Sequence, residues 1–417
     1  MIRRSPSTLV RTIGLGAIDQ GLFSLGNMLF YVALGRIATI EEFGLVAAAV
    51  LAYESLLLAV QSVFVQSPSL LLPEVEQHEQ ASLVSTALAF ALAVGLVSCV
   101  VVISIGVVLD QSLLVVAGAV FAPLFAQEAA RSLAFALRRP ALAVLNDGVW
   151  TGIQIAVFVV SLVWSLSPEA IVVWWALGAL AGAVCGVASL GLGLPRPSKV
   201  ALGRLLRGTG SLTKENLLSA AQTHSIGWMV LVVAGPVGAG ALRGVRTLFG
   251  PSNAMIAGMR SAGVPIMRGA ASTGDLDGLR SPARRLLLVM VSAVSATGAA
   301  VLLLPERWGQ VLLGDVFDEA VHLTPAFLAI SLLRVPIVVG QMILLARRRV
   351  DALVAVRLRL TAVTVVGVAL GVTLGGVNGA IVGGAIATAL VLPSWRNTVS
   401  DALGLGQRNE ALSIRET

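Results

Sequence analysis

Charge is what this chain has least of. Asp, Glu, Lys and Arg together make up 12% of its 417 residues, about half the share usual in soluble domains. Lysine is rarer still, since Lys199 and Lys214 are the only two. No G-x-x-x-x-G-K-[S/T] loop occurs, which excludes nucleotide hydrolysis by that route. The two cysteines, Cys99 and Cys185, each fall inside an apolar stretch, so neither a disulfide frame nor a paired-cysteine metal site is available. H-E-x-x-H and G-x-S-x-G are also missing. Asp275-Leu276-Asp277-Gly278 looks like the start of a calcium loop but lacks the remaining ligands. Segments between apolar stretches reach roughly 18 residues, too short for an extramembrane catalytic domain. The expectation is no cofactor, no metal and no soluble enzyme, although a membrane-embedded enzyme with residues at helix ends stays open.

What is present is apolar length. Hydrophobic residues make up 57% of the chain, and the mean hydropathy is +0.91. A helix of about 20 apolar residues crosses the hydrocarbon core. Such stretches lie at 10–37, 44–66, 82–109, 112–137, 141–165 and 168–194, then at 211–234, 240–267, 285–304, 320–346, 351–374 and 378–400. Short Gly/Pro or charged segments separate them, among them Arg138–Pro140, Gly235–Gly240 and Gly375–Gly379. The junction at 305–319 is the longest outer loop. The reading is an all-α polytopic membrane protein of about 12 transmembrane helices. Its first span is too long for a cleaved signal and is expected to stay as helix one.

The arginines test the count. With the N-terminus inside, the cytoplasmic segments hold Arg3, Arg4, Arg11, Arg138, Arg139, Arg196, Lys199, Arg204, Arg207 and Lys214. They also hold Arg268, Arg280, Arg284, Arg285, Arg347, Arg348, Arg349, Arg396, Arg408 and Arg415, whereas the opposite side keeps Arg36 and Arg307 among seven acids. Basic segments therefore alternate as the positive-inside rule requires, with both termini cytoplasmic and the plasma (inner) membrane as the expected location. The net charge of +7 is explained by this topology and by anionic lipid, so no nucleic-acid partner is expected.

The basic segment Leu194–Thr209 separates two stretches of six helices, residues 1–200 and 201–417. At an offset of 196, Arg11 meets Arg207, Gly14 meets Gly210, Asp19 meets Glu215, Gln20 meets Asn216 and Gly44 meets Gly240. Two six-helix lobes in the same orientation would face each other across an axis along the membrane normal, with a substrate site between them.

Polar side chains inside spans mark function, because an ionised group at mid-bilayer costs roughly 2.5 kcal/mol or more. In the eighth stretch Arg243, Arg246, Gly250, Asn253, Ala257 and Arg260 recur at helical spacing on one face, beside the interruption of Pro251. Guanidinium forks suit phosphate. The plainer alternative is that Arg243 and Arg260 snorkel to opposite surfaces, leaving Arg246 deep. Helix one offers Gln20, Ser24, Asn27 and Tyr31 with Asp19 beside them, helix two Tyr53, Glu54 and Gln61, and helix seven Glu215, Asn216, Ser219, Gln222, Thr223 and His224. The candidate substrate-binding residues are Arg243, Arg246, Asn253, Arg260, Gln20, Asn27, Gln61 and Asn216. Asp19, Glu54 and Glu215 are candidates for gating or ion coupling, with pairing to an arginine the alternative. Helix five adds Asn146, Asp147 and Gln154, and helix ten Arg334 and Gln341. Glu128 and Arg131, three apart, read as an ion pair that aids packing. Arg357 and Arg359 read as snorkelling, and His224 as a hydrogen-bonded histidine.

Ala17-Ile18-Asp19-Gln20-Gly21 with Asn27, the turn Ile40-Glu41-Glu42-Phe43-Gly44 and Leu137-Arg138-Arg139-Pro140 resemble Wzx-type polysaccharide flippases. So do Gly203–Arg207 and Gly235–Arg246. These flippases belong to the multidrug/oligosaccharidyl-lipid/polysaccharide (MOP) exporter superfamily. The resemblance implies two six-helix lobes forming a V and alternating access of a cationic cavity. The implied substrate is a polyprenyl-diphosphate-linked oligosaccharide moved from the inner to the outer leaflet for surface polysaccharide synthesis. The implied partners are that lipid-linked oligosaccharide, membrane lipids, and a polysaccharide polymerase and glycosyltransferases. A MATE-type small-molecule or drug exporter and a membrane-embedded polysaccharide polymerase or ligase are the rivals.

Overall fold

A computed structural model describes residues 6–403 apart from 73, 192–195, 208, 273–275 and 348. Arg3, Arg4, Asp275, Arg348, Arg408 and Arg415 lie outside the described residues, as do the side chains of Arg11, Arg268 and Asp277. In chain order the helices are α1 (Pro6–Gly35), α2 (Ile40–Gln61), a π-helical turn (Ser62–Gln66), α3 (Ser67–Leu71), α4 (Gln77–Val108), α5 (Ser112–Ala119) and α6 (Phe121–Ala136). Then come α7 (Pro140–Val163), α8 (Pro168–Ser189), α9 (Lys199–Leu206), α10 (Gly210–Leu248), α11 (Gly250–Ser272) and α12 (Leu276–Leu302). The last are α13 (Glu306–Leu313), α14 (Val316–Val321), α15 (Thr324–Ala346) and α16 (Val350–Ala402). The described residues contain no strand, and a helix lies at every predicted apolar stretch.

Among the described residues, ten helical stretches are long and apolar enough to cross a membrane. Two of them, Thr213–Leu248 and Asp351–Ala402, have 36 and 52 residues. At 1.5 Å per residue they would run roughly 54 and 78 Å, well beyond a hydrocarbon core of about 30 Å. Each is two helices, because the backbone leaves the helical region at Gly235 in α10 and at Gly375–Gly376 in α16. Gly376 takes φ 57°, a conformation open to glycine at little cost, and the two arms of α16 then close backbone to backbone at Gly371–Gly379 and Gly367–Gly383.

Local chemistry sets several helix starts. Thr39 caps α2 in a reciprocal box: the Glu42 amide donates to Thr39 Oγ1 at 3.3 Å, and the Thr39 amide donates to Glu42 Oε2 at 2.8 Å. Pro140 and Pro168 stand in the first turns of α7 and α8, where no amide hydrogen is needed.

Three departures from the sequence reading are local. The 305–319 segment, expected to be a loop, carries α13 and α14. Short amphipathic helices of this kind are hidden from a search for 20-residue apolar runs. The fourth stretch is interrupted at Val120, between α5 and α6. The eighth, expected as one helix with its polar residues on a single face, is broken at Phe249. Pro251 lacks the amide that would continue the ladder, and the Phe249 carbonyl accepts from the Asn253 amide (3.1 Å) and Ser252 Oγ (2.9 Å) instead.

The chain packs as two compact units. The first comprises Met1–Ala220, Gly235–Thr247 and Pro305–Glu319; the second comprises Ala221–Ala234, Leu248–Leu304 and Ala320–Thr417. In the first, α1 packs along α7, α7 on α8, and α4 on both α5 and α6. Phe30 stacks on Trp175 at 4.2 Å, and Tyr53 meets Phe121 and Phe125 edge-on. The α13 segment docks on the end of α1, where Arg36 donates to the Val311 carbonyl. In the second unit, Ile337, Leu344, Leu353, Leu360, Val391 and Trp395 form a core between α15 and α16. Large apolar side chains stay exposed along both units, Val108 at 83% and Leu374 at 87% among them. Such surfaces suit lipid rather than water, and the chain is a multi-pass membrane protein.

Candidate functional site

Three polar assemblies within the first unit gather most of the residues singled out from the sequence. The first joins α1, α2 and the arm of α10 that follows Gly235. Arg243 Nη1 lies 2.9 Å from Glu54 Oε1, and its guanidinium stacks over the Tyr31 ring at 3.9 Å from the centroid. The Arg243 side chain is 16% exposed and that of Glu54 32%. Arg246, one turn further on, is half-buried and lies within electrostatic reach of Glu54, Arg243 and Tyr31. Arg243 is thus paired with Glu54, and a second guanidinium, that of Arg246, stands within reach of the same carboxylate.

The approach of these elements depends on glycine. A Cβ on Gly44 would stand 2.5 Å from the Pro236 carbonyl carbon and nearer still to its oxygen. One on Gly240 would stand 2.6 Å from the Ile40 oxygen. Only hydrogen fits at either place, so the start of α2 rests directly on the turn that follows Gly235.

The second assembly is buried among α1, α6 and α7. Arg131 makes a paired contact with Glu128 (2.8 and 3.1 Å) and a 3.0 Å contact with Asp19. Gln127 Nε2 donates to Asp147 Oδ1 at 2.6 Å, and Asn146 Nδ2 donates to the Gln127 carbonyl at 3.0 Å. Asp19 and Asp147 are 1% and 0% exposed, and their carboxyls adjoin. Among the described residues, Asp19 Oδ1 and Asp147 Oδ2 accept from no other group. Three carboxylates therefore surround a single guanidinium. The Glu128–Arg131 pair was legible from its i,i+3 spacing, whereas Asp19 joins it from 112 positions away and Asp147 from a different helix, α7. Asp19 is thus paired with an arginine, the alternative raised from the sequence.

The third assembly ties α2 to the first turns of α10. Gln61 Nε2 (3.4 Å) and Gln66 Nε2 (3.2 Å) both donate to Asn216 Oδ1, Asn216 Nδ2 donates to Gln66 Oε1 (3.3 Å), and Ser62 and Thr213 share a 2.8 Å bond. Positions 61 and 66 point apart in an α-helix. The π-helical turn between them, closed by the Ser67 amide on the Ser62 carbonyl, brings them to one side. Gln66, Ser62 and Thr213 were not singled out beforehand, and nothing in their spacing announces a π turn.

The remaining candidates stand apart. Gln20 donates to Ser24 at 3.4 Å and Asn27 to the Phe23 carbonyl at 3.0 Å, both within α1 and half-buried. Glu215 is half-buried beside Asn216. Asn253 and Arg260 belong to the second unit, in α11, and are exposed. Also in that unit, Arg357 is buried and donates to Gln222 Oε1 at 2.6 Å, which corrects the expectation that it snorkels; Arg359 is exposed. His224 is buried, and Cys99 and Cys185 are free thiols. Among the described residues no group of three or more His, Cys, Asp or Glu is placed to hold a metal ion.

No protein-family model matches the chain, and no curated protein matches its sequence. Solved structures do match. An inward-facing multidrug resistance MATE family transporter of the MOP superfamily aligns with TM-score 0.69 at 13% identity, covering 92% of this chain and 95% of that one. A MATE protein solved in complex with MaL6 aligns at 0.64 and 12% identity, covering 95% and 96%. A MOP superfamily transporter from Pyrococcus furiosus, for which reverse polarity of the binding pocket suggests a different function, aligns at 0.63 and 14% identity over 95% and 96%. This chain has the fold of the MATE transporters of the MOP superfamily.

Proposed function

We propose that this protein is a transporter that flips a polyprenyl-diphosphate-linked oligosaccharide from the inner to the outer leaflet of the plasma membrane, supplying surface polysaccharide synthesis. The observation that carries the reading is the pairing of Arg243 with Glu54 in a segment of membrane-spanning helices, with Arg246 within electrostatic reach of the same carboxylate. A half-buried excess of guanidinium is costly in a membrane and suits an anionic headgroup. Asn253 and Arg260, exposed on α11, are further candidates to meet phosphate and sugar, as are Gln20, Asn27, Gln61 and Asn216. Residues 1–200 and 201–417 form the two lobes that alternate access, and both termini are cytoplasmic. The activity is movement and not bond chemistry. Asp19 and Asp147 would be satisfied by one proton held between their carboxyls, which makes the α1–α6–α7 cluster the candidate for ion coupling. A polymerase and glycosyltransferases acting on the same lipid-linked glycan are the expected partners.

The second reading is a MATE-type exporter of small molecules, favoured by the multidrug resistance function of one structural neighbour. A cationic drug prefers a carboxylate-lined cavity, which the Asp19–Glu128–Asp147 cluster could supply. The reverse polarity described for the Pyrococcus furiosus transporter supports the view that this fold carries pockets of either sign. Labelling polyprenyl-linked oligosaccharide in cells lacking the protein separates the readings. Confinement to the inner leaflet, relieved by the wild-type gene, supports the flippase. Outer-leaflet accumulation without polymerisation points to an enzyme, and an unchanged glycan profile points to the exporter.

A further inference from the structure

The Glu54–Arg243 pair has two features of an exchangeable contact. It is made through a single 2.9 Å approach, and the Glu54 side chain is 32% exposed, so the carboxylate has room to withdraw. Arg243 stays anchored by the Tyr31 ring when the carboxylate leaves. Arg246, three residues on, presents a second fork on the same side. A phosphate group offers more acceptor oxygens than a carboxylate and can bridge both forks.

The same pair ties α2 to the arm of α10 after Gly235. A glycine contact also joins them, and it is reciprocal. Gly44 lies against Pro236, and Gly240 lies against Ile40. Adding 196 to 40 and 44 gives 236 and 240, so each contact is the image of the other under the offset that relates the two halves of the sequence. Two equivalent turns therefore meet face to face, backbone to backbone at Gly44 and against the Ile40 backbone and side chain at Gly240. Such a contact can part without unthreading anything.

We propose that Glu54 occupies the place of the transported anion on Arg243. A phosphate group displaces the carboxylate, bridges Arg243 and Arg246, and thereby unties α2 from the Pro236–Arg246 arm. The proposal rests on the anionic-substrate reading above and adds how the substrate opens its own path. Arg243 and Glu54 become a latch and Arg246 the resident anchor.

The test uses the full chain in lipid nanodiscs with Cys99→Ala and Cys185→Ala, and spin labels at the exposed positions Glu41→Cys and Val237→Cys, which flank the glycine contact. Dipolar broadening should be strong without ligand, fall with farnesyl diphosphate and be unmoved by farnesol. Glu54→Gln should part the labels without ligand and tighten farnesyl diphosphate binding by about fivefold or more, because the competing carboxylate is gone. Glu54→Ala repeats the measurement should the glutamine find a new partner. Arg246→Ala should keep the labels coupled and lose the ligand response. Inorganic diphosphate acting at the same concentration assigns recognition to the headgroup alone; farnesyl diphosphate acting well below it assigns a lipid-linked ligand. Labels still coupled in both Glu54 variants overturn the latch. Farnesyl diphosphate that binds wild type without parting the labels overturns the exchange alone, whereas its failure to bind at all overturns the exchange and the anionic-substrate reading together.

Discussion

Replacing Gly44 by alanine sets two physical terms against each other. Gly44 is the fifth residue of α2, where alanine is the better helix former by up to about 1 kcal/mol. Against that stands the contact with α10. The new Cβ would sit 2.5 Å from the Pro236 carbonyl carbon and 3.1 Å from its Cα, whereas ordinary contact begins at 3.4 Å. These are backbone atoms, so no rotamer change relieves the overlap, and the chains must part by an ångström or so. Overpacking of this kind costs about 1–3 kcal/mol. Over most of its range the steric term outweighs the propensity term, and the net of up to about 2 kcal/mol should lower the population of the packed arrangement by up to roughly thirtyfold. Gly240→Ala, at 2.6 Å from the Ile40 oxygen, should act in the same direction, and Gly258→Ala, with open space around it, should not act at all. Disulfide yield between Glu41→Cys and Val237→Cys, in a background without the native cysteines, reads the population directly. The ordering Gly44→Ala below Gly240→Ala below Gly258→Ala is expected. A Gly44→Ala yield equal to that of Gly258→Ala, with unchanged transport, would refute the reasoning.

Three further outcomes follow from the same contacts. Arg131→Met leaves Asp19, Glu128 and Asp147 without their shared counter-charge and should cost about 3–5 kcal/mol, read as lost thermal stability of the detergent-solubilised protein; an unshifted melting curve contradicts the cluster. Asn216→Leu strands the amides of Gln61 and Gln66 and should destabilise by about 1–3 kcal/mol, with hydrogen exchange rising first around the π-helical turn. Thr39→Ala removes the cap of α2 and should cost about 1 kcal/mol, visible as earlier fraying of Ile40–Phe43 in hydrogen exchange.

Hydropathy alone located the helices, because a bilayer leaves the backbone few other ways to satisfy its hydrogen bonds. The breaks at Gly235 and Gly375–Gly376 were legible for the same reason, since glycine accepts the dihedrals that end a helix. The α13 and α14 helices were not, as they are too short and too polar to register as spans. Pairs within one helix could be read by spacing, as Glu128 and Arg131 show. Pairs between helices could not: the sequence placed Arg243 among the substrate ligands and Glu54 among the gating residues, and only the fold shows them in contact. Arg357 was misread because proximity to a helix end suggests an outward side chain, while its partner Gln222 lies in a different helix.

The most direct test of the central claim is flipping in reconstituted vesicles. A fluorescent polyprenyl-diphosphate sugar would be placed in one leaflet of proteoliposomes and its arrival in the other timed by dithionite quenching. The account predicts transfer by wild type, little transfer by Arg246→Ala, and none of a fluorescent polyprenyl alcohol. Equal transfer by wild type and Arg246→Ala, or export of a cationic dye in place of the diphosphate, would contradict it.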